Sequence, residues 1–543
     1  MPSLMTRPRR LAVALSAALM LLPGLPAKAQ VNLPALGDSV SQDLDVNDER
    51  RIGDQIMRQI RIDPDYLDDP LLLEYVQSLW TPLVNSAKQL GQIGDDTQQR
   101  FAWDIFLVRD RSVNAFALPG GFVGTHLGLI AITSAPDELA SVLGHELAHI
   151  TQRHIARRIA GDSRNSLLAT AGLIAGLLVA SRSGSPDAAQ AAIVGSQAVA
   201  AAASLSFSRD MEREADRVGF NFMTQAGYAP SGMASMFERM EQAYHLMDAG
   251  NYPYLRSHPL TSERIGEARA RLGTGTMERP HGLALHALMA ARSRVLMDPR
   301  AETWTKLQEL DAGVRDSRGG TAGNGFEQLG ARYASALASI KMRNYGRADS
   351  ALRSAELLLQ MMGSDPRSAR VLTLARAELA QAREQGEAGF AALAPLAQDR
   401  SRVLLIQRAQ LALVDTRLAS AREAADTLQT HVSLNPNDAQ AWALLAQLWQ
   451  RLDQPLRAVR ALGETRAAAG DLNGAIDRLR SGLNQSRSRS ADQIEAAVID
   501  ARLRQLLYER RQLLSEMYRG NVPPGAELPN LQARPLTPRL ATP

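Results

Sequence analysis

The chain has 543 residues, more than one hydrophobic core accommodates, so two or more domains are expected. Its formal charge of +4 includes four bases, Arg7, Arg9, Arg10 and Lys28, that lie in an acid-free stretch, residues 1–29. Without that stretch the balance is about zero, which removes electrostatic support for nucleic-acid binding, and the lack of any cysteine excludes disulfides and thiol nucleophiles.

Read in chain order, the three arginines precede an apolar run, Leu11 to Leu22, and Ala27-Lys28-Ala29 offers a small-x-small cleavage site before Gln30. This is the layout of a secretory signal peptide, too short and wrongly flanked for a stable anchor. Gln30 is not a cysteine, so no lipid anchor is indicated. An exported, cysteine-free chain fits a bacterial periplasm, with cleavage after Ala29. An acidic lead from Asp38 to Glu49 then gives way to helical patterns over Ile52–Ile60 and Leu71–Val84. The β-rich region follows as Phe101–Val108, Val113–Leu118 and Phe122–Thr133, interrupted by Pro119-Gly120-Gly121. Directly after it comes a helix with Ser134 as expected N-cap, Pro136 in the first turn, and Asp137 and Glu138 near the positive end. Leu139, Val142, Leu143, Leu147 and Ile150 mark its buried stripe. A small antiparallel sheet beside a long helix defines an α+β first domain, residues 30–275.

Residues 163–206 are rich in Ala, Gly and Leu, with Ser181 to Pro186 between two apolar runs. The first run, Leu167 to Ala180, is shorter than the roughly 18–20 residues that a bilayer core requires. A helical hairpin packed over the first domain is expected, with contact to a membrane surface as the other option. From about residue 283 the pattern is all helical. Leu411-Ala412, Ala424 and Leu428 recur 34 residues later as Leu445-Ala446, Ala458 and Leu462, with Trp442 and Trp449 added. That interval and those small residues point to a tetratricopeptide-repeat solenoid over 283–515. The register slips between about 359 and 400 and again near Gly470-Asp471, so some repeats are degenerate. The stretch 516–543 is proline-rich and reads as an extended tail.

The chemistry is carried by His145-Glu146-Leu147-Ala148-His149. Residues four apart on a helix share a face, so both imidazoles can hold one Zn²⁺ while Glu146 polarises a water at the open position. Gly144 and Ala148 leave room beside these ligands for a close neighbour. A third ligand is required. Gln152 and Ile155 stand where a metzincin would carry Gly and His, and His154 lies too far round the helix to join the pair. Glu212 in Glu212-Arg213-Glu214-Ala215-Asp216 fits instead, with Asp216 one turn on to orient a ligating His. An acidic pair on a helix is ordinarily a solvated face, but two histidines without a third ligand make no catalytic site.

His145, Glu146 and His149, followed by Glu212-x-x-x-Asp216 ahead of Gly219, resemble peptidase family M48, whose members share a gluzincin-like zinc site. The resemblance implies one Zn²⁺ on His145, His149 and Glu212, with Glu146 as general base. It implies that Asn114-Ala115-Phe116-Ala117 pairs with extended substrate, consistent with substrate capture by β-addition. It also implies that His258, in Ser257-His258-Pro259, can occupy the metal and hold the enzyme latent. From the residues alone, a His before Pro reads as a solvated turn. Arg264 matches a family arginine, as oxyanion stabiliser or as carboxylate partner. With the signal peptide and the repeats, the resemblance implies outer-membrane protein substrates and the β-barrel assembly machinery as partners, with peripheral outer-membrane contact as a further option. The other functional class is a repeat-based chaperone or adaptor with secondary proteolysis.

Overall fold

The structure, a computed structural model, describes residues 45–161, 207–246, 253–272, 282–310, 324–363, 365–486, 493–517 and 520–522. The expected signal peptide, the 163–206 hairpin and nearly all of the proline-rich tail lie outside the described residues.

Helix α1, Val46–Ile62, starts earlier than its apolar pattern because the Asp45 side chain accepts from the Asp48 amide; it buries Ile52, Ile56, Met57 and Ile60. Strand β1 is Tyr66–Leu67. Helix α2, Pro70–Gln89, is capped by Asp69 and buries Leu72, Val76 and Leu83. After the short α3, Asp95–Arg100, come β2, Asp104–Val108, β3, Ala115–Leu118, and β4, Phe122–His126.

The four strands form one sheet in the order β1-β2-β4-β3, and it is mixed, not antiparallel as the sequence suggests. β4 pairs antiparallel with β3 and parallel with β2. The reason is local. Pro119-Gly120-Gly121, with Gly120 at φ 77° and Gly121 at φ 86°, closes a tight hairpin, so β4 returns between β2 and β3 and runs in the direction of β2. The expected long strand Phe122–Thr133 is also corrected: it ends at His126, and Leu127–Ile132 is a helix, α4. Leu127 to Ile132 is an unbroken apolar run, and such a run has no period that separates buried strand from buried helix.

Helix α5, Pro136–Thr151, carries the motif, and every residue from Pro136 to Ile150 is buried. Its N-cap is Ala135, not Ser134, and no side chain caps it. Instead Glu138 reaches back to the Ser134 amide at 2.7 Å and is gripped by Arg239. The domain is completed by α6, His154–Gly161, α7, Arg209–Gln225, α8, Ser231–Leu246, α9, Pro253–Ser257, and α10, Ser262–Arg271.

Helix α11, Leu283–Leu296, opens the helical array. Helix pairs then begin at Gly325, Pro366, Arg402, Ala439 and Leu472, so successive pairs start 33 to 41 residues apart. The 34-residue recurrence in the sequence marks helical repeats, but the turns between them vary in length. Alanines such as Ala348, Ala421 and Ala458 are buried where paired helices approach. The main hydrophobic core does not stop at the boundary between the two regions. It runs from Leu67 and Leu72 through Leu143 and Phe222 to Leu288, Leu352 and Leu404. Ion pairs reinforce the contact: Arg292 bonds Asp69 in a buried pair, while Arg402 with Asp68 and Arg370 with Glu74 are half-buried. Among the described residues no helix is long and apolar enough to cross a membrane.

Candidate metal centre

The site depends on how closely α5 and α7 approach. A Cβ at Gly219 would lie 2.8 Å from the Gly144 carbonyl carbon and oxygen, and one at Gly144 would lie 3.0 Å from the Gly219 carbonyl oxygen. With no side chain between the backbones, α7 lays Glu212 and Asp216 against the His145–His149 face. The room expected beside the motif is used in this way.

His145, His149, Glu212 and His258 are all buried, and each offers one ligand atom within 4.8 Å of the others. A tetrahedral Zn²⁺ with bonds near 2.0–2.1 Å sets ligand atoms about 3.3 Å apart. The observed edges match: His145 Nε2 lies 3.0 Å from His149 Nε2 and 3.3 Å from His258 Nδ1. Glu212 oxygens lie 3.5 Å from each of the first two Nε2 atoms and 2.9 Å from His258 Nδ1. Ring nitrogens do not converge on one point without a proton or a cation between them, because their lone pairs repel. Glu212 Oε2 has no hydrogen-bond partner; it lies 2.9 Å from Arg264 Nη1 only as an ion pair. The donor set therefore fits a metal ion.

The electrostatics mark a cluster of donors in which protons and a cation compete for the same lone pairs. Burial pushes the His145 imidazole down, but bonds to Asp216 and Glu212 outweigh it and hold it at about 9. Asp216 is opposed by burial and held down to about 2 by Arg264 and His145. Burial also opposes ionisation of Glu212, yet the three imidazoles keep it well below the carboxylate range. Burial drives His149 well down, so its ring is neutral as a ligand must be. Glu146 is raised by burial, with His258 and His145 pulling against that.

The other expected site residues assemble around this cluster. His145 Nδ1 donates to Asp216 Oδ1 at 2.9 Å. Glu146 Oε2 accepts from the Ala117 amide at 3.0 Å, while its Oε1 is buried without a hydrogen-bond partner. His258 is held by its own amide on the Tyr254 carbonyl at 2.8 Å and by ring stacking on Tyr254. Arg264 is capped onto α10 by Thr261; its Nε and Nη2 grip Asp216 at 2.7 and 2.8 Å, and Nη1 bonds the Pro259 carbonyl. Asn114 precedes β3, the terminal strand of the sheet, and its carbonyl accepts from the His126 amide.

Three contacts had no signal in the sequence. Phe207 stacks on the His149 ring at 3.9 Å between centroids. Tyr254 packs on His145 and His258. His154 stays out of the converging set, as its position round the helix implies, yet its Nδ1 lies 2.8 Å from His149 Nδ1. The α5 helix ends at Thr151, and Arg153 at φ 51° turns the chain so that His154 begins α6 beneath His149. A left-handed arginine, held here by Glu49, is not legible from residue type.

The sequence model of peptidase family M48 matches residues 81–272, which contain all of these ligands. A β-barrel assembly-enhancing protease of Yersinia pestis is 30% identical over 487 residues, covering 88% of this chain and 92% of the relative. The chain belongs to peptidase family M48. A putative β-barrel assembly-enhancing protease of Vibrio cholerae is 29% identical over 515 residues, 94% of this M48 chain and 99% of the relative. A mitochondrial metalloendopeptidase, OMA1 of Schizosaccharomyces pombe, is 30% identical over 208 residues, 38% of this chain and 53% of that protein. The shorter match spans about half of the mitochondrial relative, whereas the bacterial matches run through the helical array as well. This M48 chain is a metalloendopeptidase, with an α+β peptidase region followed by helical repeats.

Proposed function

We propose that the chain is a periplasmic zinc metalloendopeptidase that acts in outer-membrane protein quality control, degrading misassembled barrels and assisting assembly. The observation that carries the chemistry is the pair of states on one carboxylate: Glu146 Oε2 is tied to the Ala117 amide while Oε1 is buried without a hydrogen bond, 3.6 Å from His258 Nε2. When bound, a zinc ion supplies Lewis acidity and acidifies a water to near-neutral pKa. Glu146 Oε1 takes the proton from the attacking water as the O–C bond forms, then delivers it to the amide nitrogen as the C–N bond breaks. Asp216 holds the proton of His145 at Nδ1, keeping Nε2 available to the metal. Arg264 is the carboxylate partner of the two roles open to it, since its guanidinium faces Asp216 and Glu212.

Substrate enters as an added strand. In the β3–β4 hairpin the bonded cross-strand pairs are Asn114–His126, Phe116–Gly124 and Leu118–Phe122, so the backbone of Ala115 and Ala117 faces away from β4. That edge leads to Glu146, which the Ala117 amide bonds, and an extended peptide would pair with the backbone that remains beside it. His258, with Nδ1 among the ligand atoms, takes the place a catalytic water requires, which supports a latent state.

The outer-membrane role is supported by the bacterial relatives' names, and the periplasm by the signal-like N-terminus and the absence of cysteine. The repeats would contact the barrel assembly machinery. Glu146→Gln separates this reading from a chaperone or adaptor: casein turnover is expected to fall by more than about 100-fold, with zinc content intact. Full barrel assembly by a proteolytically dead variant would favour the chaperone, and undiminished turnover would sink the peptidase mechanism.

A further inference from the structure

Helix α7 carries three carboxylates within five residues, Glu212, Glu214 and Asp216. Glu212 faces the metal and Asp216 holds His145. Glu214 lies two residues from Glu212, about 200° round the helix, and so points off that face. It nevertheless connects to the second histidine ligand. His149 Nδ1 lies 2.8 Å from His154 Nδ1, and His154 Nε2 lies 3.0 Å from Glu214 Oε2. Arg157 Nη1 donates to the same oxygen at 3.1 Å.

We propose that His154, backed by Glu214, is a positioning residue that holds His149 in its metal-binding tautomer. This rests on the zinc-peptidase reading above. With Nε2 of His149 directed at the metal, the ring proton must sit on Nδ1. Two facing Nδ1 atoms cannot both carry protons, so His154 Nδ1 accepts and its own proton lies on Nε2. Glu214 is an acceptor there, and Arg157 is a donor to it. Every link then has one donor and one acceptor, and the direction of the whole chain follows from metal binding at one end.

The two ligand histidines are thus oriented differently. His145 reaches its carboxylate directly, whereas His149 needs an imidazole as spacer, because Glu214 points away from the ligand face. The left-handed turn at Arg153 delivers that spacer. His154 is fully enclosed and Phe207 stacks on His149, so the contact between the two imidazoles is screened from bulk solvent.

The test uses the full mature chain with His154→Leu, His154→Asn and Glu214→Ala. Zinc affinity is measured by competition with a chelating dye, alongside the melting temperature of the metal-free protein and the kcat/KM for casein. His154→Leu is expected to weaken zinc binding by about 10- to 100-fold, the usual range for loss of a group behind a metal ligand. His154→Asn, whose Oδ1 can accept near the place of Nδ1, is expected to recover most of that loss. Glu214→Ala, at the partly exposed end, should weaken binding by a few-fold and serves equally if His154→Leu does not fold. Wild-type zinc affinity in His154→Leu or Glu214→Ala overturns the proposal while leaving the peptidase reading intact. So do equal zinc losses in the Leu and Asn variants that track a loss of metal-free stability, because packing alone then explains them. A wild-type protein that takes up no zinc overturns the peptidase reading itself, and the proposal with it.

Discussion

Replacing Gly219 by alanine tests whether close helix approach builds the metal centre. The new Cβ would lie 2.8 Å from the Gly144 carbonyl carbon and oxygen and 2.9 Å from the His145 nitrogen, against an ordinary contact of 3.4 Å. All three neighbours are backbone, so no side chain can swing aside, and the helices must part by about 0.6 Å at that point. Glu212 and Asp216 lie one to two turns back along the same face of α7, so the parting reaches both. Metal-ligand distances tolerate shifts of only about 0.2 Å. We therefore expect zinc affinity to fall by roughly 10- to 100-fold, a scale set by displaced supports behind metal ligands. Overpacking should add a stability loss of about 1–3 kcal/mol. Chelator competition and urea denaturation measure the two effects. Gly266→Ala is the control, because its Cβ would meet nothing within 4 Å. Wild-type zinc affinity in Gly219→Ala would refute the reasoning, since the site would then not depend on the backbone contact.

His258→Ala is expected to raise casein turnover several-fold while retaining zinc on His145, His149 and Glu212; unchanged or lower turnover with zinc bound counts against latency. Burial lowers the His286 imidazole to about 4, with its Nε2 donating to the Thr133 carbonyl and its Nδ1 accepting from Tyr75. The unfolded chain binds that proton below about 6.5, so its contribution is present above that pH and is lost as pH falls towards about 4, by up to roughly 3 kcal/mol. Removing the titration with His286→Gln should flatten the fall in stability between those limits, and an identical pH slope in the variant would exclude this source. Arg292→Ala leaves Asp69 buried with only its cap bond to Leu72, and a loss of about 3–5 kcal/mol is expected in urea denaturation. Arg292→Met with Asp69→Asn should recover much of it; if the double variant is as weak as the single, the buried charge is not the cause.

Much of the site can be read along the chain because its parts are helical and local. His145 and His149, or Glu212 and Asp216, lie one turn apart, and a 3.6-residue period makes each pair a single surface. Gly144 is visible as a gap in that surface, although only the structure supplies Gly219 as what enters it. His154 stays outside the ligand group as expected, but its contact with His149 is hidden from the sequence for a definite reason. Extending α5 as an ideal helix carries residue 154 away from the ligands, whereas the chain breaks at Gln152 and turns left-handed at Arg153. The apolar run after His126 is ambiguous in kind, and where β4 gives way to α4 the backbone of Arg111 and Ser112 lies so close to Gly128 that no Cβ would fit.

Residue identity and spacing by themselves marked the candidate metal-ligand pairs, the motif glutamate, the α+β region and the helical array after it, because each is written in a local period or a fixed offset. Tertiary structure alone decided the rest. It set β4 parallel to β2 and fused the core of the peptidase region with the repeats. It brought His258, 113 residues from His145 in sequence, to within 3.3 Å of that ligand. Such contacts depend on where helices cross and how chains turn, and a crossing is a property of two surfaces that no single stretch of sequence contains.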